Sequence, residues 1–205
     1  MLRFAERPGD ATFAAGRALA DALKKNPPAG LREYTMGFTT VLLEFAPLPN
    51  VASFVHEFVE RCRTLPATVE GAIATTREIP VIYDGPDLAR VAEVNHLSIA
   101  EVVALHSEVI YKVYLLGFSP GFPYLGDLNP KLHTPRLKSP RPQVPAGSVG
   151  IGGEHTGIYS VSSPGGWNVI GRTHLRIFDP ARAEKDGDAA MFLLHPGDRV
   201  RFVPH

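Results

Sequence analysis

The chain has 205 residues, 44% of them hydrophobic, and its 21 basic and 21 acidic side chains leave a formal charge of zero. That length is enough for one large or two small cored domains, and a neutral chain without a long basic run excludes a typical nucleic-acid binder. No stretch approaches the roughly 20 apolar residues of a membrane helix, and the opening MLRFAERPGD lacks a signal-peptide core, so no membrane partner is expected.

The first extended candidate, Leu2 to Phe4, is short enough to imply a misassigned start or a trimmed edge strand. Phe13, Ala20 and Leu23 recur at helical spacing across 12–25, and Pro27 and Pro28 end that helix. Strand candidates follow at Leu31 to Tyr34 and in TTVLLEF at 39–45. Asn50 then precedes a second amphipathic helix over 51–64, whose stripe of Val51, Val55, Phe58 and Cys62 implies a buried structural thiol. A single cysteine forms no internal disulfide, which suits the reducing cytoplasm.

REIPVIY at 77–83 is the next strand and completes the order βαββαβ, the split βαβ or ferredoxin-like pattern. The grammar changes near Asp84. YDGPDL supplies a turn and a Pro-led helix start, Ser98 and Glu101 form a capping box, and helices are expected over 86–95 and 99–109. From Tyr111 onward, short apolar runs alternate with Gly/Pro turns, which suggests a compact β-barrel or sandwich. ARAEKDGDAA at 181–190 reads as an exposed loop. The expected class is therefore α+β, with a ferredoxin-like domain over 1–80 and a β-barrel domain over 81–205.

Gly117-Phe118-Ser119-Pro120-Gly121 matches the G-x-S-x-G nucleophile elbow after a strand. The residue after the serine must donate its N–H to the oxyanion, and Pro120 has none, so Ser119 reads as a loop residue. PAGSVGIGG at 145–153 could cradle an anion with backbone amides, but it lacks the Lys-Ser/Thr ending of a P-loop, and sharp barrel turns explain its glycines equally well. None of the eight histidines sits in H-x-x-x-H or H-E-x-x-H, so no metal site is expected. His106 continues the apolar stripe of Ile99, Val102, Val103 and Val109, and it reads either as a core histidine or as a pocket acid or base.

TPRLKSPRPQVPAGS sets Arg136 and Arg141 in a stiff Pro-rich loop, where guanidinium forks suit carboxylates or phosphates; solvated loop arginines are the alternative. Lys138 reads as surface. In SPGGWNVIGRT, Trp167 either floors a small amide or lactam site beside Asn168 and Arg172 or plugs the barrel.

GFSPGFPYLG at 117–126, PRLKSPRPQVPAGSVGIGG at 135–153 and SPGGWNVIGRT at 163–173 together resemble the KipI-like family, also called allophanate hydrolase subunit 1 and the B subunit of 5-oxoprolinase. YDGPDL, the His106 helix and the closing PGDRVRF are in that family's order too. The resemblance covers residues 77–205 well and the first 76 only in pattern, and the Gly-Asp turn with which members usually begin is absent. It implies a ferredoxin-like domain joined to a cyclophilin-like barrel. It further implies pairing with a homologous C subunit and a LamB/YcsF-like A subunit, which together open 5-oxoproline to glutamate with ATP as co-substrate. The chain alone is expected to be inactive.

Carried onto this chain, the motifs imply a cleft with His106, Arg136, Arg141 and Arg172 as its catalytic set. Phe118, Tyr124, Ser148, Trp167 and Asn168 would bind substrate. Arg136 or Arg141 would hold a carboxylate or phosphate, Asn168 the lactam, and Tyr124 and Trp167 the walls. Two other readings attach to the same resemblance: inhibition of a sensor histidine kinase, and membership of an allophanate/urea amide-hydrolysing or carboxyltransferase complex.

Overall fold

The computed structural model describes residues 1–7, 9–63 and 76–205, with the side chains of 61–63 outside that description, so the Cys62 thiol lies beyond it. The chain divides into two compact units, Met1–Ala72 and Ile73–His205.

In the first unit, β1 (Leu2–Arg3) is followed by α1 (Asp10–Lys25), β2 (Leu31–Met36), β3 (Thr40–Phe45) and α2 (Val51–Arg63). The sheet runs β1-β3-β2 with both pairs antiparallel, so β3 lies between the two strands that α1 connects. Leu19 and Leu23 of α1, Val41 of β3 and Phe58 of α2 form its core. Asn50 caps α2 as its sequence position implies, accepting the Ser53 N–H at 3.2 Å.

Among the described residues the first unit has no fourth strand. Most of the expected 77–83 segment does form a strand, β4 (Thr76–Val81), but it belongs to the second unit, where it pairs in parallel with β12 (Arg199–Pro204). That register sets Ile79 against Phe202 and buries both. Alternating hydrophobicity reveals a strand and its buried face but not its partner, and here the partner lies more than a hundred residues downstream.

The second unit contains α3 (Leu88–Val94), α4 (Ile99–Ser107), β5 (Ile110–Leu116), β6 (Pro123–Gly126), β7 (Arg141–Val144), β8 (Ser148–Gly152), β9 (His155–Ile158), β10 (Ser163–Gly165) and β11 (Asn168–Arg172). Seven strands form one sheet in the order β11-β8-β9-β6-β5-β12-β4. Its two edges meet: Ile82, just past β4, exchanges two 2.9 Å backbone hydrogen bonds with Arg172 of β11. The sheet is thus nearly closed into a barrel, and closure removes the edges that would otherwise invite mispairing. Val113, Leu125, Val149, Ile151, Ile158 and Ile170 fill the interior.

The capping box of α4 is formed, with Ser98 Oγ accepting the Glu101 N–H and Glu101 Oε2 accepting the Ser98 N–H. That reciprocal bonding holds the Glu101 carboxyl below its usual range. In place of the expected loop, residues 180–191 form consecutive short helical turns, begun by Asp179 accepting the Ala181 N–H.

Candidate functional site: an arginine cleft beside an aromatic shelf

The barrel closes around the turn Asp84-Gly85-Pro86-Asp87. Gly85 N–H donates to Ile170 O at 3.2 Å and Asp87 N–H to Val169 O at 2.9 Å, laying the turn flat on β11. A side chain at residue 85 would place its Cβ 2.3 Å from Val169 O, so this close approach requires glycine.

The turn carries two carboxylates, and each meets an arginine. Asp87 is buried; one of its oxygens accepts Arg141 Nη2–H at 2.7 Å and the other the Val169 N–H at 2.7 Å. Asp84 is half exposed and accepts from Arg172 Nε at 3.0 Å and Nη2 at 2.9 Å. Both arginines line one cleft of about 500 Å³ together with Asp84, Ser148, Val144 and Val169. Among the described residues Arg141 Nη1 is buried without a hydrogen-bond acceptor. A buried donor left unmet is costly, and this one is closed off from the cleft, so it is the exposed part of the guanidinium that faces the open space.

Arg136 goes elsewhere, although five residues before Arg141. Its guanidinium lies 5.7 Å from the Trp167 ring centroid. Trp167 is buried in a cluster of Phe122, Tyr159, Val144 and Val169, with Tyr124 packed against it. Phe122 stands edge-on to Trp167 and to Tyr159, each with centroids 5.3 Å apart. The indole fits because Gly152 leaves its space free: a Cβ there would sit 2.5 Å from it. Phe118 is 62% exposed at the rim of this shelf. It holds φ at 67° while Ser119 N–H donates back to Gly117 O at 2.8 Å, a γ-turn that is strained for a bulky residue. The segment joins β5 to β6 and no helix follows Ser119, so it is a hairpin turn and not a nucleophile elbow.

Two of the expected site residues are sealed in the interior. His106 is 0% exposed and stacks on Phe202 at 4.6 Å. Thr156 spends its hydroxyl hydrogen on Gly150 O, so it accepts from His106 Nε2–H at 2.9 Å, and Nδ1 then accepts the Tyr83 hydroxyl at 2.8 Å. Burial pushes the imidazole down to about 3, which keeps it neutral. Burial pushes the Tyr83 phenol up. A ring with both nitrogens engaged and no solvent access is a core peg, which corrects its place in the catalytic set.

Asn168 is likewise fully buried: Nδ2 donates to Pro135 O and Ile151 O, each at 3.0 Å, and Oδ1 accepts Arg90 Nη1–H at 2.7 Å. Both N–H groups are spent and the side chain has no solvent access, so Asn168 has no donor left for a lactam carbonyl and its expected ligand role is corrected too. The nine expected site residues thus separate into a cleft set (Arg141, Arg172, Ser148), a shelf set (Arg136, Phe118, Tyr124, Trp167) and two core pegs (His106, Asn168). Asp84, Asp87 and Arg90 are not apparent from sequence; the only sign of the first two is the D-G-P-D spacing in a turn that reads as a helix start.

The glycine-rich 145–153 stretch does not fit a phosphate cradle. Most of its amides are engaged: Gly147 N–H donates to Tyr159 O, Ser148 N–H to Pro145 O and Gly153 N–H to Thr134 O, and 148–152 is strand β8, paired on both sides. Among the described residues no group of three or more His, Cys, Asp or Glu could hold a metal ion, and no helix is long and apolar enough to cross a membrane.

Sequence comparison decides the family. A model described as carboxyltransferase domain, subdomain C and D, matches residues 1–186. The chain belongs to that family. It is similar to the B subunit of 5-oxoprolinase from Escherichia coli O157:H7, 59% identical over 162 residues that span 77% of this chain and 72% of that protein. To the B subunit of 5-oxoprolinase from Bacillus subtilis (strain 168) it is 39% identical over 216 residues, 99% of this chain and 88% of that one. The crystal structure of TTHA0988 superposes with a TM-score of 0.81 at 39% identity. All of this chain, but only 39% of that one, is covered, so this chain spans less than half the length of that structure. The family resemblance carried by the three motifs therefore holds, and the arginine cleft is a feature of a carboxyltransferase-family chain.

Proposed function

We propose that this chain is the B subunit of a 5-oxoprolinase, a multi-subunit hydrolase that opens 5-oxo-L-proline to L-glutamate with ATP. The names of the two relatives above support the substrate, and Arg141 carries the structural side of the reading. It is an arginine fixed by a buried carboxylate, with about a third of its side chain (31%) exposed on the wall of a cleft large enough for a five-membered lactam acid. Arg141 and Arg172 would bind the substrate carboxylate in paired, charge-assisted hydrogen bonds, with Val144 and Val169 against the ring methylenes. With the ring so held, its amide carbonyl is presented at a defined place in the cleft.

His106 is sealed away, so among the described residues the cleft has no histidine base. In this reading the chain binds and orients substrate, and a homologous C subunit and an A subunit complete the chemistry and the use of ATP. The nearly closed sheet is read as the cyclophilin-like barrel of the family. Mixing the chain with the C and A subunits should yield glutamate and ADP from 5-oxo-L-proline. No turnover with all three present would end the reading.

A further inference from the structure

The two Asp–Arg pairs of the cleft have opposite designs. Asp87 is a fixed partner: buried, tied by its second oxygen to the Val169 amide, its own carbonyl accepting the Val91 N–H that begins α3. Asp84 is a loose partner. Its side chain is 46% exposed, and among the described residues its carboxylate bonds only to Arg172, itself 62% exposed. Yet it occupies the Nε/Nη2 edge of that guanidinium, the edge with which arginine grips a carboxylate through two parallel bonds.

We infer that Asp84 is an internal stand-in for the ligand carboxylate, a specificity residue that an incoming monocarboxylate must displace from Arg172. The inference rests on the reading of the cleft as a carboxylate site and adds how the site selects its ligand. Two arginines and two aspartates leave the cleft formally neutral. One carboxylate entering beside Arg141 restores Arg172's pairing as Asp84 swings to solvent, and the exchange is close to balanced. A polyphosphate would bring several negative charges into a cleft lined by Asp84, with Asp87 buried behind Arg141, while the Gly147, Ser148 and Gly153 amides are already engaged and β8 is paired on both sides. The cleft therefore takes a small monocarboxylic acid and rejects nucleotide phosphates, so the ATP of the assembly is held by other residues.

The test is calorimetric titration of the full chain and of its Asp84→Asn and Arg172→Ala variants with 5-oxo-L-proline and, separately, with ATP. Asp84→Asn removes the competing charge from an exposed pair, so it should bind 5-oxo-L-proline about two- to fivefold tighter than wild type. Arg172→Ala should bind it at least about tenfold weaker, the loss expected of a charge-assisted contact, and ATP should not bind either variant through the cleft. Equal or weaker binding by Asp84→Asn, with Arg172→Ala still impaired, overturns the stand-in role and leaves the carboxylate site in place. Binding unchanged in both variants, or absent throughout, overturns both. ATP binding that Arg172→Ala abolishes overturns the ligand class.

Discussion

Asp87 spans the gap between Arg141 and β11: its two carboxylate oxygens each accept a 2.7 Å hydrogen bond, one from the Arg141 guanidinium and one from the Val169 amide. One residue thereby ties the turn to β11, starts α3 and sets the position of a cleft arginine. Replacing Asp87 with Ala should lower stability by about 2–3 kcal/mol, because it leaves a buried amide and a half-buried guanidinium unmatched. Urea denaturation of the variant checks this. Asp87→Asn should lose less, since its amide oxygen can still accept one of the two bonds.

His106 gives a prediction with a definite sign. Its folded imidazole is pushed down to about 3 by burial, whereas an unfolded histidine titrates near its ordinary value of about 6.5. Between those limits the unfolded chain binds a proton that the folded chain does not, so stability rises with pH across this window and is lost as pH falls below about 6.5. The contribution approaches about 1.4 kcal/mol per pH unit. Denaturation at pH 7 and pH 5 should therefore show a steeper loss for wild type than for His106→Gln, which cannot titrate. Parallel pH dependences would contradict the neutral buried imidazole.

How much of this was legible in the chain depends on the range of the interaction. The capping box of Ser98 and Glu101 and the Asn50 cap are decided within one turn of helix, and both formed where the sequence put them. β4 was visible as a strand, but its union with β12 depends on a parallel pairing across the length of the second unit, which no local pattern encodes. The same holds for the site. Arg136 and Arg141 are near neighbours in sequence, yet one covers Trp167 and the other binds Asp87, because the chain bends at Lys138 and Ser139 before β7 begins at Arg141. Asn168 and His106 have the right chemistry for ligands, and only the structure reveals that their hydrogen-bonding capacity is already used inside the protein.

Gly152 tests the seating of the aromatic shelf. A Cβ at this position would stand 2.5 Å from the Trp167 indole, a ring hemmed in by Phe122 and Tyr124. Gly152→Ala should cost about 1–3 kcal/mol through overpacking. Trp167 is the only tryptophan, so its fluorescence reports the displacement directly. An unchanged emission spectrum and unchanged Tm would mean that the indole is not seated against β8.

The most direct test of the cleft assignment is a crystal structure of the protein with 5-oxo-L-proline bound. The account predicts the ligand carboxylate within hydrogen-bonding distance of the Arg141 and Arg172 guanidinium groups, with the Asp84 carboxylate turned away from Arg172. A ligand seated on the shelf between Arg136 and Trp167, with the Asp84–Arg172 pair intact, would contradict it.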